Sequence, residues 1–152
     1  MVKRTLFSLA VALLLLTPSE SWAACTVSVT GVAFGSYNVF SSAPSSSTGS
    51  VSYSCGFWEY LFRLPISISI SAGQSGSTSV RKMRKGSESL NYNIFMEASA
   101  STVWGDGNSG SDTFTTRATP DAAPVTMYGV VPAGQDVSAG SYTDTVTVTV
   151  LF

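Results

Sequence analysis

The chain has 152 residues, room for one domain, with 8 Lys and Arg against 9 Asp and Glu and a net charge of −1. That balance is no electrostatic footprint for nucleic acid. The absence of histidine removes both the Ser-His-Asp arrangement and the commonest metal ligand.

Residues 1–23 read as a secretory signal peptide. Lys3 and Arg4 supply a positive start, an eleven-residue apolar run covers 6–16, Pro18 breaks it, and Ser21-Trp22-Ala23 is a small-x-small cleavage site. The run is too short to span a bilayer and no second candidate follows, so no transmembrane segment is expected. The mature domain is residues 24–152, with six basic residues against eight acidic ones, and one residue ahead of Cys25.

Two cysteines in an exported chain, Cys25 and Cys55, read as one disulfide. Closing a loop of this size stabilises a fold by roughly 3–4 kcal/mol on chain-entropy grounds. A rival reading makes Cys25 a lipidated lipoprotein residue. It sets Trp22 where an aliphatic residue is required and strands Cys55 as a lone thiol.

After the signal peptide no helical periodicity occurs; short alternating runs separated by Gly, Ser and Pro do. Cys25, Val27 and Val29 alternate, and 32–34 continue past a kink at Gly31. A serine-rich loop covers 41–50. Val51, Tyr53 and Cys55 alternate next, then Ile66, Ile68 and Ile70, then Leu90, Tyr92, Ile94 and Met96, then Val125, Met127, Gly129 and Val131, stopped by Pro132. Residues 142–152 close the chain, with Val146, Val148, Val150 and Phe152 on one face and threonines on the other. Gly- and Ser-rich turns cover 72–76 and 105–112. The pattern suggests an all-β sandwich or barrel, and six or seven strands in about 129 residues fit an immunoglobulin-like sandwich.

Catalytic and metal chemistry is missing. The stretch 106–112 lacks the Gly and Glu that a calcium loop needs, two cysteines make no zinc site, and no G-x-S-x-G elbow occurs. Neither an enzyme nor a cofactor is expected. The charge run 81–85 reads as a solvated loop or a blunted sheet edge rather than an anion site. Phe57, Trp58, Tyr60 and Phe62, with Leu61, crowd five large apolar residues into six positions. Continuation into Leu64, Ile66, Ile68 and Ile70 favours a strand start and the core. In a loop they would form an exposed apolar patch of the kind that marks a binding site, here an adhesive one.

Several segments together resemble one family. Cys25-Thr26-Val27-Ser28-Val29 with residues 32–38 resembles the opening of the spore coat protein U domain. Arg81-Lys82-Met83, Leu90-Asn91-Tyr92-Asn93-Ile94-Phe95 and Val103-Trp104-Gly105-Asp106-Gly107 resemble its middle. Residues 128–135 and 140–146 resemble its end. The resemblance implies a subunit of an archaic chaperone–usher pilus or a related coat protein: a sandwich missing its last strand. It implies a periplasmic chaperone that lends that strand, an outer-membrane usher, and a neighbouring pilin subunit whose N-terminal extension replaces it by β-strand addition. Val146, Val148, Val150 and Phe152 are then expected to line the acceptor groove. Localisation follows as export through the inner membrane to the periplasm and then the cell surface.

Three departures stand out. Cleavage after Ala23 leaves no donor strand, which predicts a fibre tip or a subunit that does not polymerise. Val39 replaces an expected proline, and 57–64 is unusually aromatic. The alternatives are a self-complete secreted adhesive or glycan-binding module, which needs a further strand near 112–119, and a structural coat protein.

Overall fold

A computed structural model describes residues 25–121 and 123–152; the signal peptide expected over 1–23 lies outside them. Among the described residues the regular structure is mostly strand, as the alternating pattern demands. In chain order the elements are β1 (Cys25–Thr30), β2 (Ser45–Cys55), a single α-helical turn α1 (Phe57–Leu61), β3 (Pro65–Ile70), β4 (Arg81–Lys85), β5 (Glu88–Phe95), β6 (Phe114–Arg117), β7 (Ala123–Val131) and β8 (Val148–Leu151).

These strands form two sheets. The first has the order β1-β2-β7-β5-β4 and the second β6-β3-β8. The paired strands run antiparallel. The apolar members of each alternating run meet between the sheets. Ile66, Ile68 and Ile70 of β3 are buried, facing Val51, Tyr53, Leu90, Ile94, Met127 and Val131 of the first sheet. Trp104 is wholly buried with them, and its indole N–H donates to the Ile68 carbonyl at 2.9 Å. Cys25 lies opposite Cys55 across the β1–β2 ladder, and the two are bonded as a disulfide.

Four sequence expectations change. The serine-rich stretch is not all loop: β2 begins at Ser45, because β7 supplies a continuous backbone ladder from Ser45↔Val131 to Tyr53↔Ala123. A ladder satisfies the main chain whatever the side chains are. The charge run is β4, an edge strand, and Arg81 points inward and is fully buried rather than solvated. Of the terminal run, Val148–Leu151 forms a strand, while residues ahead of it touch β4 through an Arg84↔Thr143 bridge.

The fourth change concerns 57–64. Its aromatic residues are not core. Gly56 caps α1, Tyr60 N–H returns to the Gly56 carbonyl at 3.1 Å, and Arg63, at φ 51°, breaks the turn before Pro65 starts β3. The period switches at Pro65, so the isoleucines turn inward while the turn that precedes them projects from the sandwich. Phe57, Trp58 and Phe62 are 65%, 63% and 68% exposed. No helix among the described residues is long and apolar enough to cross a membrane.

Candidate functional site

A cavity of about 750 Å³ opens at the end of the sandwich where β3 finishes and β8 begins. Its floor is the inner face of the first sheet: Met83, Leu90, Tyr92, Ile94 and Val131. Two non-adjacent segments form its lips, residues 31–39 and residues 137–146.

The first lip crosses from the β1 edge onto the inner face of β7 and β5. Val32 and Phe34 lie over Gly129, where an added Cβ would come within 2.5 Å of Val32 Cγ1; only glycine admits this approach. Phe34 packs edge-on to Tyr92, ring centroids 5.7 Å apart. The Tyr37 hydroxyl donates to the Pro132 carbonyl at 2.9 Å and accepts the Gln135 N–H at 3.0 Å. Gln135 in turn mimics a strand: its side-chain amide accepts Asn91 N–H at 2.7 Å and donates to the Asn91 carbonyl at 2.9 Å. The Pro-Ala-Gly-Gln segment thereby ties the lip to β5.

The second lip is held by polar side chains. Glu88 accepts from the Ser138 hydroxyl and, at 2.7 Å, from the Tyr142 hydroxyl; Lys85 lies 3.4 Å from the same carboxylate. The Ser138 hydrogen bond first, then Tyr142 and Lys85, hold the Glu88 carboxyl down to about 2. Asp144 accepts the Tyr92 hydroxyl at 2.8 Å and the Gln74 N–H at 2.9 Å. Burial, and then the Asp144 contact, push the Tyr92 phenol well above its usual range.

The backbone of both lips is poorly paired. Among the described residues, the Ser41 N–H to Asn38 carbonyl turn is the sole backbone–backbone hydrogen bond involving 31–39. Along 137–146 such bonds occur at Thr143, which exchanges two with Arg84. Beyond it, Thr147 faces β3: its carbonyl accepts Ser71 N–H at 2.9 Å and its N–H donates to Ser71 Oγ at 2.8 Å. Antiparallel alternation then turns the N–H and C=O of Val148 and Val150 away from β3, toward the open edge of β8.

Of the residues singled out in the sequence, Val146 lines the cavity. Val148 and Val150 pair with Ile70 and Ile68, half-buried against the core. Phe152 lies past the end of β8 and is 52% exposed. Phe57, Trp58, Tyr60 and Phe62 are elsewhere: α1 precedes the Pro65 end of β3, and the cavity flanks the Ile70 end, about 17 Å away at strand rise. Residues 31–39 and Tyr37, Tyr92 and Tyr142 were not assigned to the groove from sequence; no local pattern marks a lip whose opposite wall lies a hundred residues on.

No group of three or more His, Cys, Asp or Glu among the described residues is placed to hold a metal. Asp106 Oδ1 is used within its own turn, by Asn108 N–H at 3.1 Å and the Ser111 hydroxyl. An apolar floor between two poorly paired stretches of main chain offers an extended peptide both apolar surface and backbone partners.

A family model described as Spore Coat Protein U domain matches residues 10–149. The chain belongs to that family. Protein U of Myxococcus xanthus is 32% identical over 108 residues, which are 69% of this chain and 59% of that relative. The chain thus spans about 59% of the length of the curated relative it matches. Among solved structures it is similar to a chain of the CsuC–CsuE chaperone–tip adhesion subunit pre-assembly complex from the archaic chaperone–usher Csu pili of Acinetobacter baumannii. The TM-score is 0.52 at 24% identity, covering 84% of this chain and 39% of that one. That likeness shows the fold: the two-sheet, nearly all-β architecture of the spore coat protein U domain here is that of an immunoglobulin-like pilus subunit.

Proposed function

We propose that this protein is a non-enzymatic structural subunit of a chaperone–usher surface pilus, and that the groove between 31–39 and 137–146 receives a β-strand from another protein. One observation carries the reading: two facing stretches of poorly paired main chain over a floor of apolar side chains. An added strand would pair with both lips and bury the floor, the β-augmentation mode of peptide recognition. Empty, the groove leaves an open strand edge, an aggregation hazard.

The partners are a periplasmic chaperone that fills the groove first, an outer-membrane usher, and a neighbouring subunit that fills it in the fibre. The route is export to the periplasm and then the cell surface. Family membership supports this, as does the likeness to a chain of a chaperone–tip adhesion subunit complex. The proposed position is terminal. Exposed Phe57, Trp58, Tyr60 and Phe62 sit at the end opposite the groove, where a tip would meet its target surface.

The self-complete module is less well supported. The strand it requires exists as β6, Phe114–Arg117, but β6 pairs with β3 on the edge away from β8 and leaves the groove open. Expression in the periplasm with and without the cognate chaperone tests the proposal. Degradation or aggregation alone, and recovery as a one-to-one complex, is the expected result. A stable soluble monomer without a partner overturns it. Usher and chaperone genes beside this one distinguish a pilus from a coat role.

A further inference from the structure

Three tyrosines wall the deep end of the groove, Tyr37, Tyr92 and Tyr142, with Phe34 beside them. Each hydroxyl is already committed to a protein acceptor: the Pro132 carbonyl, Asp144 and Glu88. Among the described residues no buried side-chain nitrogen or oxygen lacks a hydrogen-bond partner. The rings therefore present their apolar surfaces to the cavity, and the polar atoms are spent on holding the walls in place.

A polar side chain set against these rings would shed its water and find none of the three tyrosine hydroxyl protons free, which is costly. A large apolar one would meet ring faces and edges. Alongside β8 the walls differ: Val148 and Val150, β-branched and half-buried against the core, are the apolar side chains next to the open edge. A cavity of about 750 Å³ at one end and a valine-lined edge at the other do not call for the same side chain.

We infer that the strand taken by this groove is asymmetric, with one aromatic anchor that enters the tyrosine-walled end and β-branched residues beside β8. This deepens the strand-acceptor reading and rests on it. Because the hydroxyl bonds fix the walls before the strand arrives, the pocket is pre-organised and discriminates by size and polarity.

The test is refolding of the purified protein from denaturant with short synthetic peptides. The parent peptide alternates Thr and Val. Variants carry a single Phe, or a single Asn, at the first or at the last Val. The readout is the peptide concentration giving half-maximal recovery of folded protein. Phe at one end, and not at the other, is expected to lower that concentration about tenfold, and Asn at the same end to raise it. In Val137→Phe, which narrows the pocket, the Phe-bearing peptide should lose its advantage over the parent peptide. Equal recovery with Val, Phe and Asn at both ends overturns the anchor and leaves the acceptor standing. Failure of every peptide, the parent included, removes the acceptor itself and the anchor with it.

Discussion

Arg81 is a fully buried cation with no carboxylate ion pair among the described residues, and it bonds to main chain instead. Its guanidinium donates to the Ser71 carbonyl at 2.9 Å, the Ile70 carbonyl at 3.1 Å, the Trp104 carbonyl at 2.8 Å and Asn93 Oδ1. Burial lowers its pKa, opposed by Tyr92, Asp144 and Asp106. The side chain thus fastens the end of β3 to β4 and β5 beside the groove. Arg81→Leu keeps the apolar stem but leaves these acceptors bare, at about 1–3 kcal/mol each. A total loss of about 3 kcal/mol or more is expected in urea unfolding of the strand-filled protein. Lysine should rescue little, since a point charge cannot reproduce the fork. Glu88 makes a pH prediction. Its folded pKa, about 2, lies below the ordinary 4.5, so the stability it contributes is present above pH 4.5 and is lost as pH falls toward 2. The thermal midpoint of wild type should exceed that of Glu88→Gln at neutral pH, with the gap closing between pH 4.5 and 2. A gap independent of pH would contradict the assignment. Neither role was legible in sequence. Arg81 sits in a basic run that reads as solvated, and its period-two partnership with Met83 identifies the inward face only once β4 is known to be a strand.

At the scale of elements, alternation was a sound guide wherever one face is buried and the other open, as in β3 and in Leu90 to Ile94 of β5. It failed where main-chain pairing alone makes the strand. Ser45 to Ser50 carry little apolar signal, yet β7 pairs with that stretch residue by residue and the ladder needs none. It failed again at α1, because a continuous apolar run does not show where the period changes. Gly56 and Pro65 bracket the change and were the available signal; the left-handed turn at Arg63 is visible only in the structure. Trp58 stacks on Phe62 with centroids 6.1 Å apart, and α1 buries none of its residues. Replacing Trp58 and Phe62 with Ser should therefore leave stability within about 0.5 kcal/mol, the range of surface substitutions. On the proposed tip role, attachment of piliated cells to a surface should fall. Collapse of the fold would show instead that these residues support the core.

The molecule as a whole is polarised. One end carries the groove, the other the disulfide, α1 and the exposed aromatics. The sandwich class and the cysteine pair were readable from sequence because each is a local or counting argument. The groove was readable only in outline: Val146 was named, but its opposite lip comes from a crossing segment that pattern alone leaves as a strand continuation. Assembly of residues 31–39 against 137–146 is a tertiary event, fixed by Gly129, Tyr37 and Gln135. The central claim is that another protein's strand completes this sandwich along the open edge of β8. Amide hydrogen exchange of the chaperone complex, compared with the protein briefly released from it, tests this most directly. The account predicts new protection at Val146, which lines the cavity, and at Val148 and Val150, whose amides face the open edge of β8, with Thr147 and Thr149, already turned to β3, changed far less. Equal exchange at the three valines in both states would contradict it.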